Sequence, residues 1–370
     1  MLNYEYPPLG GGAAPVTKSL SEELVKLGHS VDVVTMGFKG LKQVEEINGV
    51  TVYRVPSIRK KHEVCQTHEM MTYCYSAYRF LPKLLKQNKY DICHTHFIIP
   101  TGIVSYLYKS KIPYIITSHG SDVPGHNPDR FCYQHEMLKP LWRKIVKNAQ
   151  QVIVPSNYLK NMILKNVYSY NVMVIPNGLD VDSYNFDPKK KDKKILLVSR
   201  LFEFKGFQYF LDAIKDIDIE YEINIVGEGP YKDTLVQKAK NLKSRIKFVG
   251  WLDNKSTDYI KLFETSSIFV FPSSAESFGT VLLEAMSAGC AIITTNSSGC
   301  SEVVDDTSLL VTPRNSEDIR NCLIKLINDY ELVKKLGLKA RQRVIRYYSW
   351  DKIAKQYINV YEDILNKKTI

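Results

Sequence analysis

Short apolar runs alternate with longer amphipathic ones along the whole of this chain. The runs at 31–35, 50–55, 91–94, 113–117, 151–154 and 172–175 have the length of strands. A second series follows at 195–199, 222–226, 245–249, 267–271 and 290–294. Helical spacing falls between them. In 13–27, Leu20, Leu24 and Leu27 share one face, and Pro15 suits a first helical turn. Repeated strand–helix alternation predicts parallel sheets covered by helices on both faces.

The alternation runs twice. Between Pro176 and Lys194 it is broken by Asn177-Gly178, Asp187-Pro188 and a run of lysines, turn signals beside a solvated charge run. The expectation is an α/β chain of two Rossmann-like, doubly wound domains, residues 1–176 and 177–346. Residues 347–370 remain as a terminal helix with Trp350, Ile353, Tyr357, Val360 and Tyr361 on one side.

A length of 370 residues agrees with two domains. No run of 18 uncharged apolar residues occurs, so no membrane-spanning helix is expected, and the start of the chain lacks a signal-peptide pattern. The seven cysteines include no C-x-x-C pair, which points to reduced thiols and a cytoplasmic protein rather than a zinc site or disulfide framework. The net charge of +11 is uneven: residues 1–176 carry 21 Lys+Arg against 12 Asp+Glu, and the remainder 29 against 27. A basic first half predicts an anionic surface or substrate there, either phospholipid head groups, a lipid-phosphate acceptor or nucleic acid. In 59–89, basic residues are interleaved with Tyr73, Tyr75, Tyr78 and Phe80.

The stretch from Ser273 to Met286 says most about chemistry. A strand at 267–271, closed by Pro272, leads through small residues into a helix-forming run, and Glu276 and Glu284 sit eight positions apart. A helix N-terminus attracts phosphate because its first N–H groups point outward and its dipole is positive there. Carboxylates accept hydrogen bonds from sugar hydroxyls. With the helix starting near Phe278 or Gly279, Glu284 lies roughly 7–8 Å along the axis, about the distance from a diphosphate to a ribose. Glu276 stays in the loop, on the opposite side of the phosphates. The stretch reads either as a nucleotide-sugar site or as a capped helix with two solvated glutamates.

Other candidates follow strand ends, where ligands of open α/β sheets bind. Arg200 and Lys205 follow 195–199 and could grip a diphosphate. His119 follows 113–117. Gly227-Glu228-Gly229-Pro230 is a strand-end glycine turn, and Pro7-Pro8-Leu9-Gly10-Gly11-Gly12 precedes the first helix. His94 and His96 alternate on one strand and would share a face, but no acidic or cysteine partner lies nearby and no metal is expected. Asp180-Val181-Asp182 has a metal-binding look, yet it follows an interdomain turn.

Six of these features, in order, resemble the retaining glycosyltransferases of glycosyltransferase family 4, which have the GT-B fold. They are the Pro-Pro/Gly-rich loop with Gly28-His29-Ser30-Val31 after its helix, His119-Gly120, Ile175-Pro176-Asn177-Gly178, Arg200 with Lys205-Gly206, Gly227-Glu228-Gly229-Pro230, and the pair Glu276 and Glu284. The resemblance implies two Rossmann-like domains facing across a cleft, the first on the acceptor side and the second holding the nucleotide sugar. It also implies that the last helix crosses back onto the first domain. Arg200 and Lys205 would hold the diphosphate with N–H groups around Phe278, Gly279, Thr280 and Val281, beside the Gly227 turn. Glu284 would bind the ribose and Glu276 the transferred sugar. His119 would reach that sugar, and Gly11 and Gly12 would bring N–H groups near the phosphates or the acceptor.

The implied reaction moves a hexose-type sugar, with retention, from a nucleoside-diphosphate sugar to a carbohydrate, lipid or small-molecule acceptor. A UDP-sugar is favoured over a GDP- or ADP-sugar, and no cofactor or divalent metal is required. Peripheral contact with an anionic membrane through the basic first half is an added expectation, and nucleic acid is not an expected partner. The alternatives are a GT-B enzyme of other chemistry, such as an epimerase or a phosphorylase, and a basic nucleic-acid or membrane-surface binding module. No motif provides the pyridoxal-phosphate lysine of a phosphorylase. Two departures stand out. Cys290 occupies a position that is often proline in the family, and only Met1–Tyr6 precede the first glycine loop, where members usually begin with an apolar strand. The expectation is that this chain starts inside that strand.

Overall fold

The computed structural model describes residues 1–62, 64–126, 132–168 and 171–367. They form two compact units, Met1–Gly178 with Trp350–Ile370, and Leu179–Ser349.

The second unit is built on a six-stranded parallel sheet. In chain order its strands are Asp192–Val198, Glu222–Val226, Ile246–Gly250, Ser266–Phe271, Ala291–Thr295 and Ser308–Val311. Across the sheet they stand in the order 3-2-1-4-5-6. Side chains alternate between two buried faces, as the strand period requires. Leu196, Val198, Phe269 and Phe271 pack with Leu282, Leu283 and Met286 of helix Thr280–Ser287. Ile195, Leu197, Ile268 and Val270 pack on the other face with Phe207, Phe210 and Leu211 of helix Phe207–Ala213. Burial on both faces explains why these strands read as continuous apolar runs.

In the first unit, strands Asp32–Met36, Val50–Val55 and Val44–Ile47 form one sheet. Strands Cys93–His96, Tyr114–Thr117, Gln151–Val154 and Val172–Val174 form another, all parallel. Leu2 lies between the two sheets, bridging Val34 on one side and Thr95 on the other. Its N–H donates to His94 O at 2.8 Å, and Asn3 N–H donates to Val34 O at 3.2 Å.

The sequence pattern missed two strands. Val44–Ile47 pairs antiparallel with Val50–Val55, a departure from the expected parallel sheets. Its core is Glu45-Glu46 and it is at most half-buried, so it carries no apolar run. Ser308–Val311 is the other, a four-residue edge strand with the short apolar run Leu309-Leu310-Val311. Strand Cys93–His96 begins two residues later than 91–94; it is buried throughout, and its last three residues are two histidines and a threonine rather than aliphatics.

Helix Trp350–Asn366 belongs to the first unit. Ile353, Ala354, Tyr357, Val360 and Ile364 are buried in a cluster with Leu20, Leu24, Ile115 and Ile153. Each large side chain buried this way is worth roughly 1.5–3 kcal/mol. Asn177-Gly178 makes room for the helix start, since a Cβ on Gly178 would lie 2.6 Å from the Trp350 ring.

Candidate active site

The first and fourth strands of the second sheet are neighbours, and the strand order reverses between them. Open α/β sheets bind their ligands at such a switch point, beyond the carboxyl ends of the strands. Arg200 and Lys205 stand on the loop after the first of these strands, and Ser273–Gly279 follows the second. The two loops are tied together. Ser274 N–H donates to Phe204 O at 2.9 Å. Gly206 has a φ of +78°, and a Cβ there would lie 2.2 Å from Pro272 O.

Lys205 and Glu276 form an ion pair, with side chains only 11% and 16% exposed. The Lys205 ammonium also lies 5.1 Å from the Phe204 ring centre and 5.4 Å from that of Phe271. The sequence reading gave this lysine and this carboxylate different parts of one ligand. The sheet order brings them into direct contact. Arg200 is exposed, its guanidinium 5.4 Å from the centre of the Phe202 ring. The glycine turn backs this loop. Ser199 N–H donates to Val226 O at 3.1 Å and Leu201 N–H to Glu228 O at 2.9 Å. A Cβ on Gly227, at φ +132°, would fall 1.8 Å from Ser199 O.

The helix starts at Thr280, with Gly279 at its N-cap in the left-handed region at φ +84°. Phe278 does not line the loop surface. It is buried, its ring 5.9 Å from Tyr348. Thr280 and Val281 are half-buried at the helix start. Gly299 seats the turn before the helix: its N–H donates to Glu276 O at 3.0 Å, and a Cβ would meet Ser277 O at 2.3 Å.

Glu284 is buried, at 8% exposure, rather than solvated. Its Oε2 accepts a 2.7 Å hydrogen bond from the Tyr259 hydroxyl, and the Tyr184 hydroxyl bonds to the same carboxyl. Burial pushes the carboxyl up to about 7, while the two phenols pull in the other direction. Burial and the neighbouring Glu284 raise both phenols, so they stay protonated and donate. No local pattern marks Tyr184 or Tyr259 as partners of Glu284.

In the first unit, His119 follows strand Tyr114–Thr117. Its Nε2 lies 3.0 Å from His96 Nδ1, with the two rings nearly parallel at 10°. His94 stacks on His96 at 4.7 Å, so the two strand histidines share a face. His94 Nδ1 is 2.8 Å from the Tyr361 hydroxyl, and its Nε2 is 2.8 Å from Thr117 Oγ1, which is 3.2 Å from the Tyr357 hydroxyl. The terminal helix is thus hydrogen-bonded to the strand ends that carry the histidines. Desolvation lowers His119 to about 3 and holds His94 and His96 well below the usual imidazole range. Among the described residues, no group of three or more His, Cys, Asp or Glu is placed to hold a metal ion.

Asp122 organises the His119 loop, and sequence reasoning passed over it. Its Oδ1 accepts from Ser118 Oγ at 2.9 Å, His119 N–H at 3.2 Å and Gly120 N–H at 3.0 Å, and its Oδ2 from Ile98 N–H at 2.7 Å. An aspartate three residues after a strand-end histidine is suited to such local backbone bonds. Gly11 and Gly12 are exposed ahead of helix Ala13–Lys26, and Gly11 N–H donates to Glu5 Oε2 at 3.1 Å.

Residues 10–183 match the family described as Glycosyltransferase Family 4, and residues 181–343 match Glycosyl transferases group 1. An N-acetyl-alpha-D-glucosaminyl L-malate synthase of Bacillus anthracis is 26% identical across 97% of this chain and 96% of that protein. The sucrose-phosphate synthase of Thermosynechococcus elongatus has a similar structure, with a TM-score of 0.83 at 21% identity over 96% of this chain and 94% of that one. HepE of Anabaena, solved in complex with UDP and glucose, has a TM-score of 0.77 at 17% identity over 98% of each chain. The chain has the GT-B fold. It is a glycosyltransferase, a transferase enzyme.

Proposed function

We propose that this glycosyltransferase moves a hexose-type sugar, with retention, from a UDP-sugar to a hydroxyl of a carbohydrate, lipid or small-molecule acceptor. The observation that carries this reading is that the loop holding Arg200 and Lys205 and the loop holding Glu276, which leads into the helix of Glu284, follow neighbouring strands at the sheet switch point and are joined by the Lys205–Glu276 pair. The second unit is the donor-binding domain in this reading and the first the acceptor-side domain. The fold shared with HepE, which binds UDP and glucose, supports a uridine donor. Arg200 grips the diphosphate in a forked geometry, and Lys205 adds a point charge. As the diphosphate takes Lys205, Glu276 is released to accept from hydroxyls of the transferred sugar. Glu284 accepts from the ribose. In the first unit, His119 and the Gly11-Gly12 loop are the candidate contacts.

The bond between the anomeric carbon and the leaving phosphate oxygen breaks as the acceptor oxygen bonds to that carbon on the same face. The acceptor proton passes to the departing phosphate. Arg200, Lys205 and the N–H groups around Phe278–Val281 stabilise the charge that develops there, the task a metal ion performs at other sites. Arg200→Ala and Lys205→Ala are expected to lose at least about 100-fold in turnover, the scale of losing one preorganised charge-stabilising donor, while the fold is retained. Full activity in both variants would refute the site. Retention is tested by the anomeric configuration of the first product formed, read by proton NMR. An inverted product would refute that part alone.

A further inference from the structure

His96 is a buried histidine to which the proposed reaction gives no task. It lies at the carboxyl end of strand Cys93–His96, fully buried. Its Nδ1 is 3.0 Å from Nε2 of His119. The ring centres are 5.3 Å apart and the ring planes differ by 10°. That separation equals the nitrogen–nitrogen distance plus a ring radius at each end, so the two rings meet edge to edge. The hydrogen bond therefore runs in the plane of both rings, where an imidazole nitrogen carries its proton or its lone pair.

A neutral imidazole has a single N–H, so one of these rings donates and the other accepts. Both are neutral, because desolvation lowers His119 to about 3 and holds His96 well below the usual imidazole range. The far nitrogen of His96 decides the direction. Its Nε2 is buried and has no hydrogen-bond partner among the described residues. His94, its neighbour on the same strand face, has both nitrogens engaged, with the Tyr361 hydroxyl and Thr117 Oγ1. Were His96 the acceptor, its proton would sit on that sealed Nε2. A buried N–H without an acceptor is the kind of group folded proteins rarely leave. With His96 donating from Nδ1, its Nε2 keeps only a lone pair. His119 then accepts at Nε2 and carries its own proton at Nδ1.

We propose that His96 is the positioning residue of His119, holding it through this bond as the tautomer protonated at Nδ1, which meets the transferred sugar as a hydrogen-bond donor. The proposal rests on the reading of His119 as a contact to that sugar. With Nε2 already occupied, the ring offers the sugar an N–H for a hydroxyl oxygen and no base to take a proton. Two devices share the work. Asp122 fixes the loop by accepting the His119 and Gly120 N–H groups, and His96 fixes the ring within it, with Phe97 packed 4.9 Å away.

The experiment reads the tautomer directly. In the full chain carrying isotopically labelled histidine, two-bond proton–nitrogen NMR spectra separate a protonated ring nitrogen from a bare one, and His119→Gln identifies the His119 signals. His119 is expected to be protonated at Nδ1 in the wild type. It should remain so in His96→Asn, whose amide stands near the position of Nδ1, and shift toward the Nε2 form in His96→Phe. Release of UDP from UDP-glucose is expected to fall at least about tenfold in His96→Phe, the worth of about one hydrogen bond, and His96→Asn should recover most of it. A purely structural His96 gives the opposite order, because phenylalanine keeps the buried ring and asparagine leaves a void. Wild-type His119 protonated at Nε2 overturns the proposal whether or not the variants fold, and so does a Phe variant more active than the Asn variant. Full UDP release in His119→Gln would instead overturn the sugar contact itself, and the proposal's part in the reaction with it, whatever the tautomer.

Discussion

Glu284 makes the account testable through stability, independently of any acceptor. Its carboxyl is raised from 4.5 to about 7 by burial, even with Tyr259 and Tyr184 bonded to it. Between those two values the folded chain keeps a proton that the unfolded chain has lost. Raising the pH therefore favours unfolding, and the destabilisation grows from about pH 4.5 and is complete above about pH 7. A gap of that size corresponds to about 3 kcal/mol. Glu284→Gln removes the titration and keeps the shape, and its amide can accept from one phenol and donate to the other. The variant is expected to match the wild type near pH 5 and to exceed it by about 1–3 kcal/mol at pH 8. Urea unfolding of both proteins at pH 5 and pH 8 reads this. A chain of two units need not unfold in one step, so the comparison uses the transition that the substitution itself moves. A stability gap that stays constant with pH, or a variant that loses ground as the pH rises, would refute the reasoning. The same variant is expected to bind the donor more weakly, because a neutral amide accepts a ribose hydroxyl less strongly than a carboxylate does. Stability would then be gained where function is lost, as is common at binding sites.

Tyr259→Phe is expected to cost about 1.5–3 kcal/mol at pH 8 and less at pH 5, where the carboxyl it bonds is already protonated, measured by the same urea titrations. Asp122→Asn trades one acceptor oxygen for an amide among four donors, so about 1–3 kcal/mol of stability should be lost, with a larger fall in turnover than in thermal midpoint. Gly227→Ala forces a Cβ into Ser199 O beside Arg200; donor affinity read by calorimetry is expected to fall at least about tenfold in protein that remains folded by circular dichroism. Chelation with EDTA is expected to leave turnover unchanged, and a loss restored by added magnesium would contradict charge neutralisation by Arg200 and Lys205 alone.

What was legible in the sequence was local or doubly buried. Strands such as 195–198 and 268–271 lie inside a parallel sheet and show as apolar runs, whereas Val44–Ile47 lies at an edge and, with Glu45-Glu46 at its centre, does not. The loop from Ser273 to Gly279 could be read because strand, turn and helix start are contiguous. The Lys205–Glu276 pair spans 71 residues and exists because the first and fourth strands are neighbours, a fact of sheet order that no spacing encodes. Tyr259 reaches Glu284 across 25 residues for a similar reason. Burial was hidden as well: a glutamate one turn into a helix reads as solvated until the helix is seen packed beneath Tyr259 and Tyr184.

The central claim is that the second unit holds a nucleoside-diphosphate sugar through Arg200 and Lys205. The thermal midpoint of the wild type and of Arg200→Ala with Lys205→Ala, each with and without UDP-glucose, tests it most directly. Ligand at 100 times its Kd stabilises the native state by about 2.7 kcal/mol. The account predicts a clear rise for the wild type and none for the double variant at the same concentration. An equal rise in both proteins, or no rise in the wild type with any UDP-, GDP- or ADP-sugar, would contradict it.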